Sequence, residues 1–168
     1  MNMKARLLVI ATLLAATVFL NSSLAAAGDA VGGCGAGVGT VSTSTLPLPP
    51  RYPLALTWIP GSLRIPQWGY GVARLRVANL GLSSFVVTSC TLRIILLDGT
   101  EYAGWCSISS FTVKGFSTYD VYPFSMYPDG LPVGMSFWIF TIVGTVNGIP
   151  RSSMPGRMTI IVTAPSPP

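Results

Sequence analysis

The chain predicts an all-β fold, an antiparallel β-sandwich of seven to eight strands after an apolar N-terminal segment. Three observations predict it. Eighteen Gly and fourteen Pro punctuate the 168 residues, and turn signals recur at spacings of about ten residues, which favours many short strands over long helices. Between the turns, apolar residues alternate with period two or run on for only a few positions, as strands do. Half of the residues are hydrophobic and 9% are charged, against roughly 25% charged in an ordinary soluble domain. That composition supplies one domain-sized core and leaves surface polarity to Ser, Thr, Gly and Pro.

Residues 1–27 have the three parts of a secretory signal: Lys4 and Arg6, an apolar run from Leu7 to Leu20, and small residues from Ser23 to Ala27. Cleavage after Ala27 or Ala25 would release the remainder. The apolar run falls short of the roughly 20 residues that span a bilayer, yet an extension through Asn21–Ala27 would keep the segment as a membrane anchor. The "KAR" before "LLVIATLL" also resembles, loosely, the leader of archaeal type IV pilins, although Gly28, Gly32 and Gly33 stop a helix early. All three readings export the rest of the chain, and the expected location is extracellular, at the cell surface.

Residues 28–53 are Gly-rich, then Ser/Thr-rich, and end in prolines, which predicts a flexible, extended segment. Its inner piece "GVGTVSTSTL" carries β-branched residues and can become a strand when offered a sheet edge. Val38, Val41, Thr43 and Leu46 are therefore the candidate donor-strand positions.

Residues 54–164 form the body. "LALTWI" (54–59) reads as a strand closed by Pro60-Gly61. "GYGVARLRVAN" (69–79) alternates cleanly, with Ala73, Leu75 and Val77 inward and Arg74 and Arg76 outward. "FTVKGFSTYDVYPF" offers two short strands about Lys114-Gly115. "MSFWIFTIVGTV" (135–146) is apolar on both faces, as a central strand would be. "RMTIIVTA" (157–164) is the last strand, and residues 165–168 are a Pro-rich tail. Strands of this number and spacing suit an Ig-like or jelly-roll-like arrangement.

The hairpin of residues 89–106 decides the cysteines. A two-residue turn at Asp98-Gly99 would put Cys90 and Cys106 on opposite faces. A three-residue turn (Leu97, Asp98, Gly99) places Leu96 opposite Thr100 and Cys90 directly opposite Cys106, within bridging distance. Gly99 would take the left-handed position that such a turn requires. The expectation is a Cys90–Cys106 disulfide; the alternative is two buried thiols. Cys34, the odd cysteine, has three readings: a lipidated cysteine, an intermolecular disulfide, or a free thiol.

The chemistry of an enzyme is missing. The chain has no histidine, which removes the commonest general base and metal ligand. Of its five acids, Asp98 and Asp129 precede glycine in turns, Glu101 lies on the hairpin, Asp29 is near the leader, and Asp120 has no evident partner. No catalytic residue, cofactor or metal is expected. The formal charge is +5, and the basic residues left after removal of Lys4 and Arg6 are scattered rather than clustered, so nucleic acid is not an expected partner. A membrane is one only through an uncleaved N-terminal segment. Tyr119, Tyr122 and Tyr127 in "STYDVYPFSMY" make a candidate aromatic ligand surface, with core packing as the alternative.

The motifs "VARLRVANLG", "LLDGTEYAG" and the late "GTVNG" resemble the Ig-like β-sandwich modules of archaeal cell surfaces, over residues 70–164. The arrangement of leader, flexible segment and sandwich is similar to surface-filament subunits of the camelysin-like kind. That resemblance implies a non-enzymatic structural subunit whose N-terminal segment inserts as a strand into the next copy. "GVGTVSTSTL" would be the inserted piece, although it is richer in Gly and Ser than β-propensity alone would select. An open-edged, weakly charged sandwich is also prone to pair with other chains on physical grounds. Expected partners are further copies of the chain or another cell-surface protein. The alternative is a monomeric adhesion or ligand-binding module, secreted or membrane-anchored.

Overall fold

A computed structural model of the chain describes residues 26–27, 30–37 and 47–165. The expected signal or anchor, apart from Ala26 and Ala27, lies outside the described residues, as do Val38, Val41, Thr43 and Leu46.

The described chain is all-β, with twelve strands and no helix among the described residues. Eight strands fall on segments whose patterning predicted them: β3 (Leu54–Ile59), β5 (Gly71–Asn79), β6 (Phe85–Leu96), β7 (Glu101–Ile108), β8 (Phe111–Val113), β9 (Thr118–Tyr127), β10 (Gly134–Val146) and β12 (Gly156–Thr163). Four others have no such signature: β1 (Ala26–Ala27), β2 (Gly32–Ala36), β4 (Ser62–Pro66) and β11 (Ile149–Ser152). All belong to one sheet in the order β3-β5-β9-β2-β7-β6-β10-β12-β4, with β1 on β9, β8 on β6 and β11 on β10.

This corrects the expectation of a purely antiparallel sandwich of seven to eight strands. The sheet is mixed: β1 and β2 run parallel to β9, and β12 runs parallel to β4. Parallel neighbours need long connections that leave no local turn signal, and period-two alternation is the same whichever way a neighbour runs. The sheet also curls until its end strand β3 approaches β12, nearly closing a barrel. At that seam Met154 N donates to Leu54 O at 3.0 Å, and a Cβ on Gly156 would lie 2.6 Å from Leu56 Cβ. Glycine at this position lets β12 and β3 meet.

The core sits between the facing halves of the curled sheet. Trp58 from β3 packs on Phe124 of β9 at 5.0 Å and on Phe140 of β10 at 4.5 Å, and Phe124 and Phe140 meet edge-to-face at 5.9 Å. Such geometry suits the ring quadrupoles. Trp138 is fully buried and donates its Nε1 proton to Ser136 Oγ at 3.0 Å, which satisfies the indole in the interior. β10 lies between β6 and β12, as its two apolar faces predicted.

The hairpin joining β6 and β7 has the three-residue turn. Thr100 O accepts from Leu96 N at 2.9 Å, Gly99 has φ +85°, and Ile95 pairs with Glu101. This register sets Cys90 against Cys106, and the two form a disulfide with Cα atoms 5.6 Å apart. A Cβ on Gly99 would meet nothing within 4 Å, so Gly99→Ala tests backbone strain alone. Its expected cost is about 1–2 kcal/mol, read as a urea midpoint shift with unchanged slope.

Candidate functional site

β7 and β9 are not paired with each other; β2 lies between them. It runs antiparallel to β7, from Gly32 opposite Ile108 to Ala36 opposite Gly104, and parallel to β9, from Gly32 beside Phe124 to Gly35 beside Tyr127. Its ladder continues upstream, where Tyr122 N donates to Ala30 O at 3.2 Å and Ser109 N to Val31 O at 3.1 Å. Cys34 points into the core and is fully buried.

The slot that holds β2 is roofed and floored by aromatic rings. On the inner side, a Cβ on Gly32 would lie 2.5 Å from the Phe124 ring. On the outer side, the Trp105 indole covers β2: a Cβ on Gly35 would lie 2.5 Å from Trp105 Nε1, and one on Gly33 would lie 3.8 Å from the far end of the same indole. The slot thus accepts extended backbone and rejects side chains at two of five positions. Glycine disfavours a strand by propensity, but at positions 32 and 35 a larger residue would have to displace an aromatic ring. Residues 32–36, read from sequence as part of a flexible segment, are a sheet strand for this reason.

The aromatic surface expected from Tyr119, Tyr122 and Tyr127 does not come together. The pairing of β5 with β9 slips by one residue between Ala73 and Leu75, opposite Tyr122 and Pro123. The bulge reverses the alternation. Tyr119, three residues before Tyr122 and so on the other face of the strand, turns inward and stacks on Phe111 at 4.3 Å, whereas Tyr122 stays exposed with the Arg74 guanidinium 5.3 Å above its ring. Tyr127 turns outward and joins a different row, with Tyr70 and Trp105 each 6.0 Å away and planes within 30°. Tyr70 and the adjacent Trp68 are 64% and 71% exposed. The sequence offered no signal for this row, because its members lie on three separated segments and meet only through the sheet order.

Asp120 does have a partner. Arg76 donates from Nε to Oδ1 at 2.9 Å and from Nη2 to Oδ2 at 3.0 Å, and Arg74 Nη1 lies 3.8 Å away. The Arg76 bond holds the Asp120 carboxyl below the ordinary carboxylate range, against the opposing effect of partial burial. A carboxylate depressed in the folded state stabilises the fold above its unfolded pKa, about 3.9, and that contribution is lost as pH falls through the folded value. Arg76 remains 41% exposed, so solvent screening limits the effect to about 1 kcal/mol or less. Asp120→Asn should flatten the fall in stability as pH drops below about 3.9, the unfolded carboxylate value, measured by urea unfolding at a series of acid pH values.

Elsewhere, a depression of about 280 Å³ is lined by Leu48, Pro49, Pro50, Arg51, Ser152 and Ser153 among others. Both seryl hydroxyls are engaged with backbone: Ser152 Oγ donates to Pro49 O at 2.7 Å, and Ser153 Oγ accepts from Ile142 N at 2.9 Å. Among the described residues, no three His, Cys, Asp or Glu side chains gather in a way that could hold a metal ion. No protein-family model matches the chain, and no curated protein sequence matches it.

Proposed function

We propose that the chain is an exported, non-enzymatic structural subunit of a cell-surface filament or layer, of the camelysin-like kind, which assembles by β-strand addition. The exchanged element is β2, seated between β7 and β9 of the next copy. One observation carries this reading: β2 fills an interior position of the sheet, yet it is joined to residues 47–53, which dock on the body through Pro49, Pro50 and Tyr52, only through residues 37–46. Covalent geometry lets ten residues span up to about 33–36 Å, enough for the same strand to occupy the same slot of a neighbouring copy. Exchange of an identical element in this way keeps every native contact and adds no new one. A vacant slot would leave two unpaired strand edges and the Phe124 ring in water, so the body is incomplete without the strand.

The surface is compatible with the same reading: Leu82 and Phe116, on loops joined by the Phe116 N–Gly81 O hydrogen bond, are each more than 60% exposed. The Cys90–Cys106 disulfide is compatible with an oxidising compartment. Electron microscopy and sedimentation velocity on the chain from residue 26 onward test the proposal. Filaments of regular repeat are expected, absent when residues 26–36 are deleted. A chain that stays monomeric at millimolar concentration, after unfolding and refolding to release the strand, would overturn it.

The Tyr70–Tyr127–Trp105 row favours a second reading, a monomeric adhesion or ligand-binding module that stacks sugar rings on these side chains. Under it, Trp105→Ala would abolish polysaccharide retention by a chain that stays monomeric.

A further inference from the structure

We infer that Cys34 is placed to take Cys106 from Cys90 by thiol–disulfide exchange, so that a donated strand becomes covalently bonded to the copy that receives it. The inference rests on the strand-addition reading above and specifies its chemistry. Its basis is a row of three cysteines on three consecutive strands. Cys34 of β2 is the register partner of Cys106 of β7, and Cys106 is in turn bridged to Cys90 of β6. Residues directly opposite on antiparallel strands point to the same side of a sheet. Cys34 is fully buried and Cys106 packs against the same core. Opposed Cα atoms in antiparallel pairs lie about 4.5 or 5.5 Å apart, close to the 5.6 Å of the existing Cys90–Cys106 bond and inside the range that disulfides occupy. Cys106 thus has two partners in equivalent positions, one on each side, and only one can hold it at a time.

The exchange balances without an external oxidant. The Cys34 thiol loses its proton to solvent, and the thiolate attacks Cys106 Sγ. The Cys106–Cys90 bond breaks, and Cys90 leaves as a thiolate that takes up a proton. One disulfide is consumed and one is formed. When β2 comes from a neighbouring copy, the new bond joins two chains, and each chain can both give Cys34 and receive at Cys106.

Burial sets the timing. Seated in the core, the Cys34 thiol is pushed far above its ordinary pKa by desolvation, so a strand already in place holds an inert thiol. Attack belongs to the docking step, while Cys34 still meets water and ionises near its ordinary value, about 8.5. The Gly-Gly-Cys-Gly context serves this step, since it leaves the thiol without bulky neighbours on its own strand. Cysteine at position 34 then differs from any other small core residue in what it does on arrival, not in how it packs once there.

The test uses the full exported chain produced under oxidising conditions, as an equal mixture of ¹⁵N-labelled and unlabelled protein. The mixture is assembled at pH 8.5, quenched with acid, alkylated and mapped by mass spectrometry, with microscopy on the same sample. Expected are filaments, a reductant-sensitive ladder in non-reducing SDS gels, and Cys34–Cys106 peptides that pair labelled with unlabelled chains. Cys34→Ala should still form filaments, with the ladder lost entirely. Filaments whose only disulfide is Cys90–Cys106 would overturn the exchange while leaving strand addition intact. Monomers containing Cys34–Cys106 within one chain would uphold the exchange and overturn strand addition between copies. Monomers with Cys90–Cys106 alone would overturn both.

Discussion

Gly32→Ala weakens the seating of β2 by about 1–3 kcal/mol, the cost of forcing one extra methyl group into a packed interior. In the equilibrium between seated and free strand this is roughly 5- to 150-fold, whichever copy supplies the strand. The size of the loss follows from what the new Cβ meets. The Phe124 ring would lie 2.5 Å away, and Phe124 cannot yield: it is fully buried and held by Trp58 at 5.0 Å and Phe140 at 5.9 Å. Gly35→Ala makes an equally short contact, with Trp105 Nε1, but Trp105 is 47% exposed and its indole can swing outward. The inner glycine should therefore matter more than the outer one, although neither side chain exists in the native protein. Adding Phe124→Leu to Gly32→Ala should return part of the loss, a coupling of about 0.5 kcal/mol or more between contacting sites. Hydrogen exchange at the β7 and β9 amides reads seating, and wild-type protection in Gly32→Ala would show that the slot is not filled as described.

Phe140→Ala should destabilise the fold by about 3–5 kcal/mol, the range for truncating a buried phenylalanine. Phe140 is 1% exposed and touches three other core rings, Trp58, Phe124 and Trp138, at centroid distances of 4.5, 5.9 and 6.5 Å. Those rings come from β3, β9 and β10, so collapse around the cavity would require both halves of the curled sheet to move. For a domain of this size the melting temperature would fall by about 6–20 °C. Leu97→Ala, at a position 66% exposed on the hairpin turn, should stay within about 0.5 kcal/mol of wild type. Equal losses at the two positions would contradict the placement of the core.

What was legible in the chain followed from local chemistry. Asp98-Gly99 and the parity of Cys90 and Cys106 specified a turn, a register and a disulfide together, because all three depend on residues close in sequence. The two-faced apolar run of β10 announced a central strand for the same reason. The aromatic residues misled. Tyr119, Tyr122 and Tyr127 are close in sequence, but Tyr119 and Tyr122 face opposite sides of β9 by simple alternation, and the bulge opposite Arg74 then turns Tyr127 outward into a different row. Asp120 looked unpartnered because Arg76 lies 44 residues away and becomes its neighbour only through strand pairing.

By itself, then, the sequence determined that the described chain is built of strands, where most of them run, and which cysteines bridge. Alternation, turn residues and hairpin parity are properties of a few consecutive positions, and they act before any long-range contact forms. Only the tertiary structure decided which strands are neighbours, that the sheet is mixed and nearly closed, and that "GGCGA" is a strand at all. Nothing local favours extended structure in three glycines. Phe124 and Trp105, about 70 to 90 residues further along the chain, are what favour glycine at positions 32 and 35.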